Sequence, residues 1–457
     1  RIYNIEGFSP IIWVGKSLIE NYIPTSIDPK DPSKLDIGPV NTTVTTNPVD
    51  GIRLRASLQT TANLNPHMFW RGYLAYGFRD QRWKGLGEVT YSFRPKAYLP
   101  MEFPVSNLTF TYSYDVSVPS DQYLTTDKDN VFMAFKWADV KHMTYDRSFK
   151  LVYDREWDYG LQWRAQLRHD MTEPTYKLFY QPVVNGIHYD AQGNYNPRPF
   201  GPGDGNSFSA RNRRYLRTTD FSVLLQYQPG VAYINTKQRR ILVNKEAPIY
   251  RISHMAGLRG VWSDYTYNLT EVGVRKRVWL RSWGRMDFDF AAGAQWNRVP
   301  FPLLIMPRAN LAYVYDDDMY YLVDNMEFLN DRYAQLMFNW SMNGKIFNRI
   351  PLFNRLKWRE HVGFNILWGR LTDKNNPYLE KNKTRSDLFY FPGEFNPDGS
   401  FRQQSKVMDP QVPYVEAAFG IHNIFKLFHI DYVRRFTYLD DPRTTRWGIR
   451  FMARVIF

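Results

Sequence analysis

The stretch Trp447-Gly448-Ile449-Arg450-Phe451-Met452-Ala453-Arg454-Val455-Ile456-Phe457 decides the fold reading. Read with period two, Trp447, Ile449, Phe451, Ala453, Val455 and Phe457 point one way, while Arg446, Gly448, Arg450 and Arg454 point the other. Terminal residues of soluble domains are usually frayed and polar. An amphipathic strand that keeps its pattern to an aromatic last residue predicts an ordered end, the closing strand of an outer-membrane β-barrel.

Composition agrees. Aromatic residues make up 17% of the 457 positions, with Tyr 32, Phe 31 and Trp 14, enough to furnish girdles at two membrane interfaces. Yet the mean hydropathy is -0.50, as expected of a wall in which apolar and polar residues alternate. No apolar run is long enough for a transmembrane helix. The absence of cysteine removes disulfides, thiolate metal sites and cysteine nucleophiles. The chain starts at Arg1 with no signal-like segment, so it reads as a processed or trimmed product. The net charge is +14, but basic residues are scattered at alternate strand positions rather than gathered in a helix or tail. That predicts a charged lumen or contact with anionic outer-leaflet lipid rather than nucleic-acid binding.

Residues 8 to 22 have helical spacing, with Phe8, Ile11, Ile12, Ile19 and Tyr22 on one side, and are too short to span a bilayer. Residues 1–35 are thus predicted as an amphipathic helix and linker, and 36–457 as the barrel. From Gly51 the alternation is sustained. Ile52, Leu54, Ala56 and Leu58 oppose Arg53, Arg55, Ser57 and Gln59, and Leu108, Phe110, Tyr112, Tyr114, Val116 and Val118 oppose polar neighbours over a longer stretch. Between the strands ending near Trp157 and starting near Leu161 there is room for a turn, whereas residues 181–214, 297–332 and 370–412 are long excursions. Short turns on one side and long loops on the other predict an all-β antiparallel transmembrane barrel of roughly 16 strands with long extracellular loops. Arg434 falls on the apolar side of its strand, where a midplane arginine would cost ~2–4 kcal/mol, so it is expected near an interface or a bulge.

The polar faces carry Arg53, Arg55, Arg164, Arg168, Arg275, Arg277, Arg450 and Arg454, with Asp287 and Asp289 among them. Such residues predict a charged network that fills and stiffens a narrow lumen; the alternative is an anion-preferring pore. The eight histidines form no metal-binding motif. His169-Asp170 has the residue types of an acid–base pair, and Asp316, Asp317 and Asp318 with Asp324 and Glu327, or Asp127 with Asp129, have those of a calcium site. None has the accompanying spacing, and Gly201 to Ser209 lacks the strand and helix a phosphate loop requires. No catalytic, cofactor or metal site is therefore predicted.

Three segments carry a family resemblance: NPHMFWRGYLAYGFRDQRWKG (Asn65 to Gly85), FLNDRYAQLMFNWSMNGKIFNRIPLFNRLKWREHVGFNILWG (Phe328 to Gly369) and GIHNIFKLFHIDYVRRFTYLDD (Gly420 to Asp441). They resemble a Bacteroidota outer-membrane barrel family of uncharacterised function, whose longer members carry an N-terminal carboxypeptidase regulatory-like domain. That family is in turn similar to the BamA-type superfamily of assembly and secretion pores. The resemblance implies location in the outer membrane of a Gram-negative bacterium and contact with outer-membrane lipid and lipopolysaccharide. It also implies a non-enzymatic role in outer-membrane protein assembly or export, with other outer-membrane proteins or lipoproteins as partners; a channel and a barrel hydrolase are the alternatives. Where the superfamily implies Arg-Gly-Phe/Tyr on an inward-folded loop, this chain has PRANLAYVYDDD (Pro307 to Asp318). The resemblance also makes Trp447, Ile449, Phe451, Val455 and Phe457 an assembly signal, so deletion of Phe457 is expected to impair membrane insertion.

Overall fold

The computed structural model describes residues 20–26, 28, 30–121, 127–140, 142–176, 178, 180, 183, 215–315, 318–395 and 401–453. The expected amphipathic helix lies almost wholly outside them, as do Arg454, Val455, Phe457 and the Gly201 to Ser209 run. In chain order the strands are β1 (Ile23–Pro24), β2 (Leu35–Ile37), β3 (Val44–Asn47), β4 (Gly51–Thr60), β5 (Met68–Gly77), β6 (Arg82–Ser92), β7 (Ser106–Ser117), β8 (His142–Glu156), β9 (Leu161–Tyr176), β10 (Leu216–Tyr227) and β11 (Tyr233–Asn235). They continue as β12 (Arg240–Leu242), β13 (Ile249–Gly257), β14 (Asn268–Trp279), β15 (Arg285–Gln295), β16 (Arg332–Ser341), β17 (Arg359–Arg370), β18 (Gly393–Phe395), β19 (Phe401–Gln403), β20 (Tyr414–Ile424), β21 (Phe428–Arg435) and β22 (Trp447–Ala453). One short helix, α1 (Pro351–Leu356), precedes β17.

All but two small hairpins, β11–β12 and β18–β19, belong to one 18-stranded sheet. From β4 onward each long strand pairs antiparallel with the next. Two-fold alternation of direction puts the strand ends that flank 118–141, 177–215, 296–331 and 371–413 at one end and the turn 157–160 at the other. β2 and β3 both lie along the outer edge of β4, as two ends of one interrupted strand. Among the described residues the 18 hydrogen-bonded strands comprise the long strands β4 to β10, β13 to β17 and β20 to β22, with β1, β2 and β3 as short pieces at that edge.

The two faces are opposite in character. On β4, Ile52, Leu54 and Leu58 are exposed while Arg53, Arg55 and Gln59 are buried. On β21, Phe428, Ile430 and Tyr432 are exposed while His429, Asp431, Val433 and Arg435 are buried. Exposed aromatics gather at both rims, with Phe78, Trp83, Trp262, Trp296 and Trp447 at the long-loop end and Trp70, Phe93, Tyr159, Trp279, Trp283 and Phe425 at the other. Arg434 is also exposed, next to the last residue of β21.

The sheet is rolled around its own loops. Ala309, Leu311, Tyr320, Val323 and Phe328 of the β15–β16 connection form a buried core with Val116 of β7, Tyr145 of β8, Ala291 of β15, Met337 of β16, Leu367 of β17 and Tyr414 of β20. Strands far apart in the sheet meet through that connection. Among the described residues, however, the ladder does not close: β22 pairs with β21 alone, and the free edge of β4 is taken by β2 and β3. The expected closure of the last strand on the first is corrected in this respect. The reason is local, because the outer edge of Phe451 is already engaged. Its N–H donates to Tyr313 O at 2.9 Å and its carbonyl accepts from Tyr315 N at 2.8 Å, both in the inserted connection.

Candidate functional site

The interior is organised by charged side chains that hold the inserted loops. Arg53 and Arg55 sit two apart on β4, so both point inward. Arg53 is fully buried; its Nη1 donates to Asp50 at 2.9 Å and to Asp115 at 2.7 Å, and its Nη2 to Asp129 at 3.1 Å. Arg55 Nη1 donates to Asp127 at 3.0 Å and Asp129 at 2.8 Å, and its guanidinium lies 3.8 Å over the Tyr73 ring. Lys84 bridges Asp50 and Asp80 at 2.6 Å each. Asp127 and Asp129 belong to the β7–β8 connection, so these contacts draw that connection into the lumen. Burial by itself would raise the Asp129 carboxyl, but Lys128, Arg53 and Arg55 hold it below its ordinary value despite neighbouring Asp115. Asp127 and Asp129 are thus paired with cations of the chain itself.

A second set grips the β15–β16 connection. Glu416 on β20 is fully buried; it accepts from the backbone N–H of Tyr321 at 2.8 Å and of Leu322 at 3.0 Å, from Asn365 at 2.8 Å and from the Tyr414 hydroxyl at 2.7 Å. Arg450 on β22 donates to Tyr321 O at 2.8 Å and lies 4.5 Å over the Trp137 ring. The Tyr321 residue is therefore held at its N–H by a carboxylate and at its carbonyl by a guanidinium. Farther along, Glu327 receives both Nη atoms of Arg435, at 3.0 and 2.7 Å. This carboxylate too is engaged by cations, including Lys406 at 3.5 Å.

Cross-strand pairing accounts for the remaining predicted charges among the described residues. Arg275 faces Asp289, and Arg277 faces Asp287, in direct register between β14 and β15; each pair makes contacts of 2.5 and 2.9 Å. Arg168 on β9 meets Asp220 on β10 at 2.9 Å, and Arg164 meets Asp154 on β8 at 2.6 Å. Asp318 pairs with Arg275. His169 and Asp170 are not brought together. His169 lies on the outer face against Phe149 and Trp262 and bonds Thr219 at 2.9 Å, whereas Asp170 accepts from Ser148 at 2.5 Å and contacts Arg168 at 3.2 Å. Adjacent strand residues point to opposite faces, so the pair cannot act as a dyad.

One cluster escaped the sequence reading. A cross-strand row runs Ser341, His361, Gly420, Asp431, Arg450 from β16 to β22. Across the side-chain-free Gly420, His361 Nδ1 lies 2.8 Å from Asp431 Oδ1. His422, one inward position along β20, brings Nε2 to 3.1 Å from the same oxygen. The His361 and His422 rings stack at 4.2 Å, and His429 meets His422 edge-on at 4.4 Å. A signal was available: His422, His429 and Asp431 flank a tight β20–β21 turn, which places all three on one face.

A model of the family of unknown function (DUF5686) C-terminal domain matches residues 24–382. The chain belongs to that family. The matched region includes β2 to β17, with the Arg53 network and the inserted β15–β16 connection, while β18 to β22 lie beyond it. Among the curated proteins none matches. Similar solved structures include BamA from Haemophilus ducreyi lacking POTRA domains 1–3, with TM-score 0.47 and 10% identity over 97% of this chain and 77% of that one. Another is CdiB from Acinetobacter baumannii, with TM-score 0.42 and 9% identity over 89% of this chain and 57% of that one.

Proposed function

We propose that the chain is an integral outer-membrane β-barrel that acts, without chemistry of its own, as a component or accessory subunit of outer-membrane protein assembly or export machinery. The observation that carries the membrane reading is the inversion of polarity. Ile52, Leu74 and Trp83 are 61%, 61% and 65% exposed, whereas Arg53, Arg435 and Arg450 are at most 1% exposed. Burying an aliphatic or aromatic side chain of this kind is worth about 1.5–3 kcal/mol, so an outer face built of them calls for lipid, bounded by the two aromatic belts. Outer-membrane lipid and lipopolysaccharide are the contacts this face fits.

Two features support the machinery reading over a pore. The lumen is occupied by the β7–β8 and β15–β16 connections, and among the described residues the outer edge of β22 is held at Phe451 by a loop rather than by a full strand. A strand edge held at one residue can exchange partners more readily than one in a complete ladder. One feature favours the alternative of a selective channel: a polar cavity of about 490 Å³, lined by Arg71, Glu88, Arg164 and Arg240, at the short-turn end. Depletion in cells separates the readings. Other outer-membrane barrels should fall in abundance, and native purification should return the protein with outer-membrane proteins or lipoproteins. Unchanged barrel levels and a solitary protein would remove the machinery reading.

A further inference from the structure

We propose that His361, His422 and Asp431 form a lumenal binding site for a divalent transition metal of the zinc class, completed by His429 or a water. Most carboxylates on the inner face meet a guanidinium: Asp115 meets Arg53, Asp220 meets Arg168, Asp287 meets Arg277 and Asp289 meets Arg275. Asp431 instead meets two imidazoles. Its neighbour in the row, Arg450, turns its guanidinium to the Tyr321 carbonyl. One ligand atom from each of His361, His422 and Asp431 lies within 4.8 Å of the others, and all three residues are buried. Imidazole nitrogen and carboxylate oxygen at ~2.0–2.2 Å from a tetrahedral zinc stand ~3.3 Å from each other. The contacts of 2.8 and 3.1 Å need widen by only a few tenths of an ångström to admit the ion. The third imidazole, His429, is in ring contact with His422. Space for exchange is present, because His361, His422 and His429 line a cavity of about 290 Å³. The backbone is shaped for the cluster as well: a Cβ at Gly420 would lie 1.9 Å from Asp431 Oδ1 and 3.1 Å from His422 Nε2. Nitrogen and oxygen donors in this mixture suit zinc, cobalt or nickel better than calcium or magnesium.

The test uses the whole chain, purified in detergent, stripped with EDTA and titrated with cobalt(II), then with zinc. Expected is one cobalt per chain with the visible d–d absorption of a low-coordinate nitrogen/oxygen site, bleached by one equivalent of zinc. His361→Gln and Asp431→Asn should each weaken binding at least ~10–100-fold, while His254→Gln, on an outer-face histidine bonded to Thr270, should leave it unchanged. Heat-modifiable gel migration reports that each variant is folded. Folded wild type that takes up no cobalt, or equal affinity in folded His361→Gln and Asp431→Asn, would overturn the proposal. If both variants misfold, the wild-type titration still decides.

Discussion

Arg53 shows how much a single side chain can carry in this lumen. It is fully buried and touches three carboxylates, from the β3–β4 turn, β7 and the β7–β8 connection. Removing it leaves Asp50, Asp115 and Asp129 with only Lys84, Lys128 and Arg55 as cationic partners, and breaking a buried ion pair of this kind costs up to ~3–5 kcal/mol. Arg53→Met should lower the urea midpoint of the detergent-solubilised protein accordingly, and Asp129→Asn in that background should recover part of the loss; strict additivity would show that the two do not interact. Gly420 makes the complementary case, since the methyl of Gly420→Ala would collide with Asp431. A destabilisation of ~1–3 kcal/mol is expected from such overpacking, against less than ~0.5 kcal/mol for Gly87→Ala, where an added Cβ meets nothing within 4 Å. Equal melting of the two variants would mean that the His361–Asp431 approach does not depend on the glycine. The inward arginines were legible because parity along a strand is visible in sequence. Their partners were not, since Asp115 and Asp129 lie 62 and 76 residues from Arg53, and no local pattern joins them.

At the scale of elements, the decisive piece is the β15–β16 connection. It has no periodicity, so nothing in its sequence announced that it would fill the lumen and take the edge of β22. That β22 is a strand with Trp447, Ile449 and Phe451 outward and Arg450 inward was readable; its neighbour on the outer side was not. The contact is testable with unusual clarity, because the chain has no native cysteine. Val314 and Phe451 are bridge partners in parallel register. Val314→Cys combined with Phe451→Cys should form a disulfide on mild oxidation, seen as a mobility shift without reductant. The crosslink should weaken when Glu416→Gln and Arg450→Met remove the grip on Tyr321. A crosslink that forms as fast with both grips removed would show that the strand edge holds the loop unaided, and no crosslink in either background would show that the loop is not seated there.

For the molecule as a whole, one physical rule explains most of what was legible: a wall with an apolar outer face and a polar interior must alternate, and alternation survives in a single sequence. Closure and filling do not, because they depend on pairings between residues hundreds of positions apart and on loops whose only signature is polarity. The same division sets the last prediction. With the lumen occupied by residues of the β7–β8 and β15–β16 connections, the protein should be nearly silent in planar bilayers. Replacing residues 308–322 with a short Gly-Ser linker removes the segment gripped by Glu416 and Arg450, including Leu311 and Tyr320 of the shared core. If that segment is the plug, the variant should show large, steady openings while retaining heat-modifiable migration, since the wall strands are untouched. Steady openings of wild type as large as those of the variant would transfer the reading from a filled barrel to a channel. A folded variant as silent as wild type would place the block elsewhere, in the β7–β8 connection held by Arg53 and Arg55 or in the β11–β12 hairpin, where Arg240 meets Glu156 at 2.6 Å.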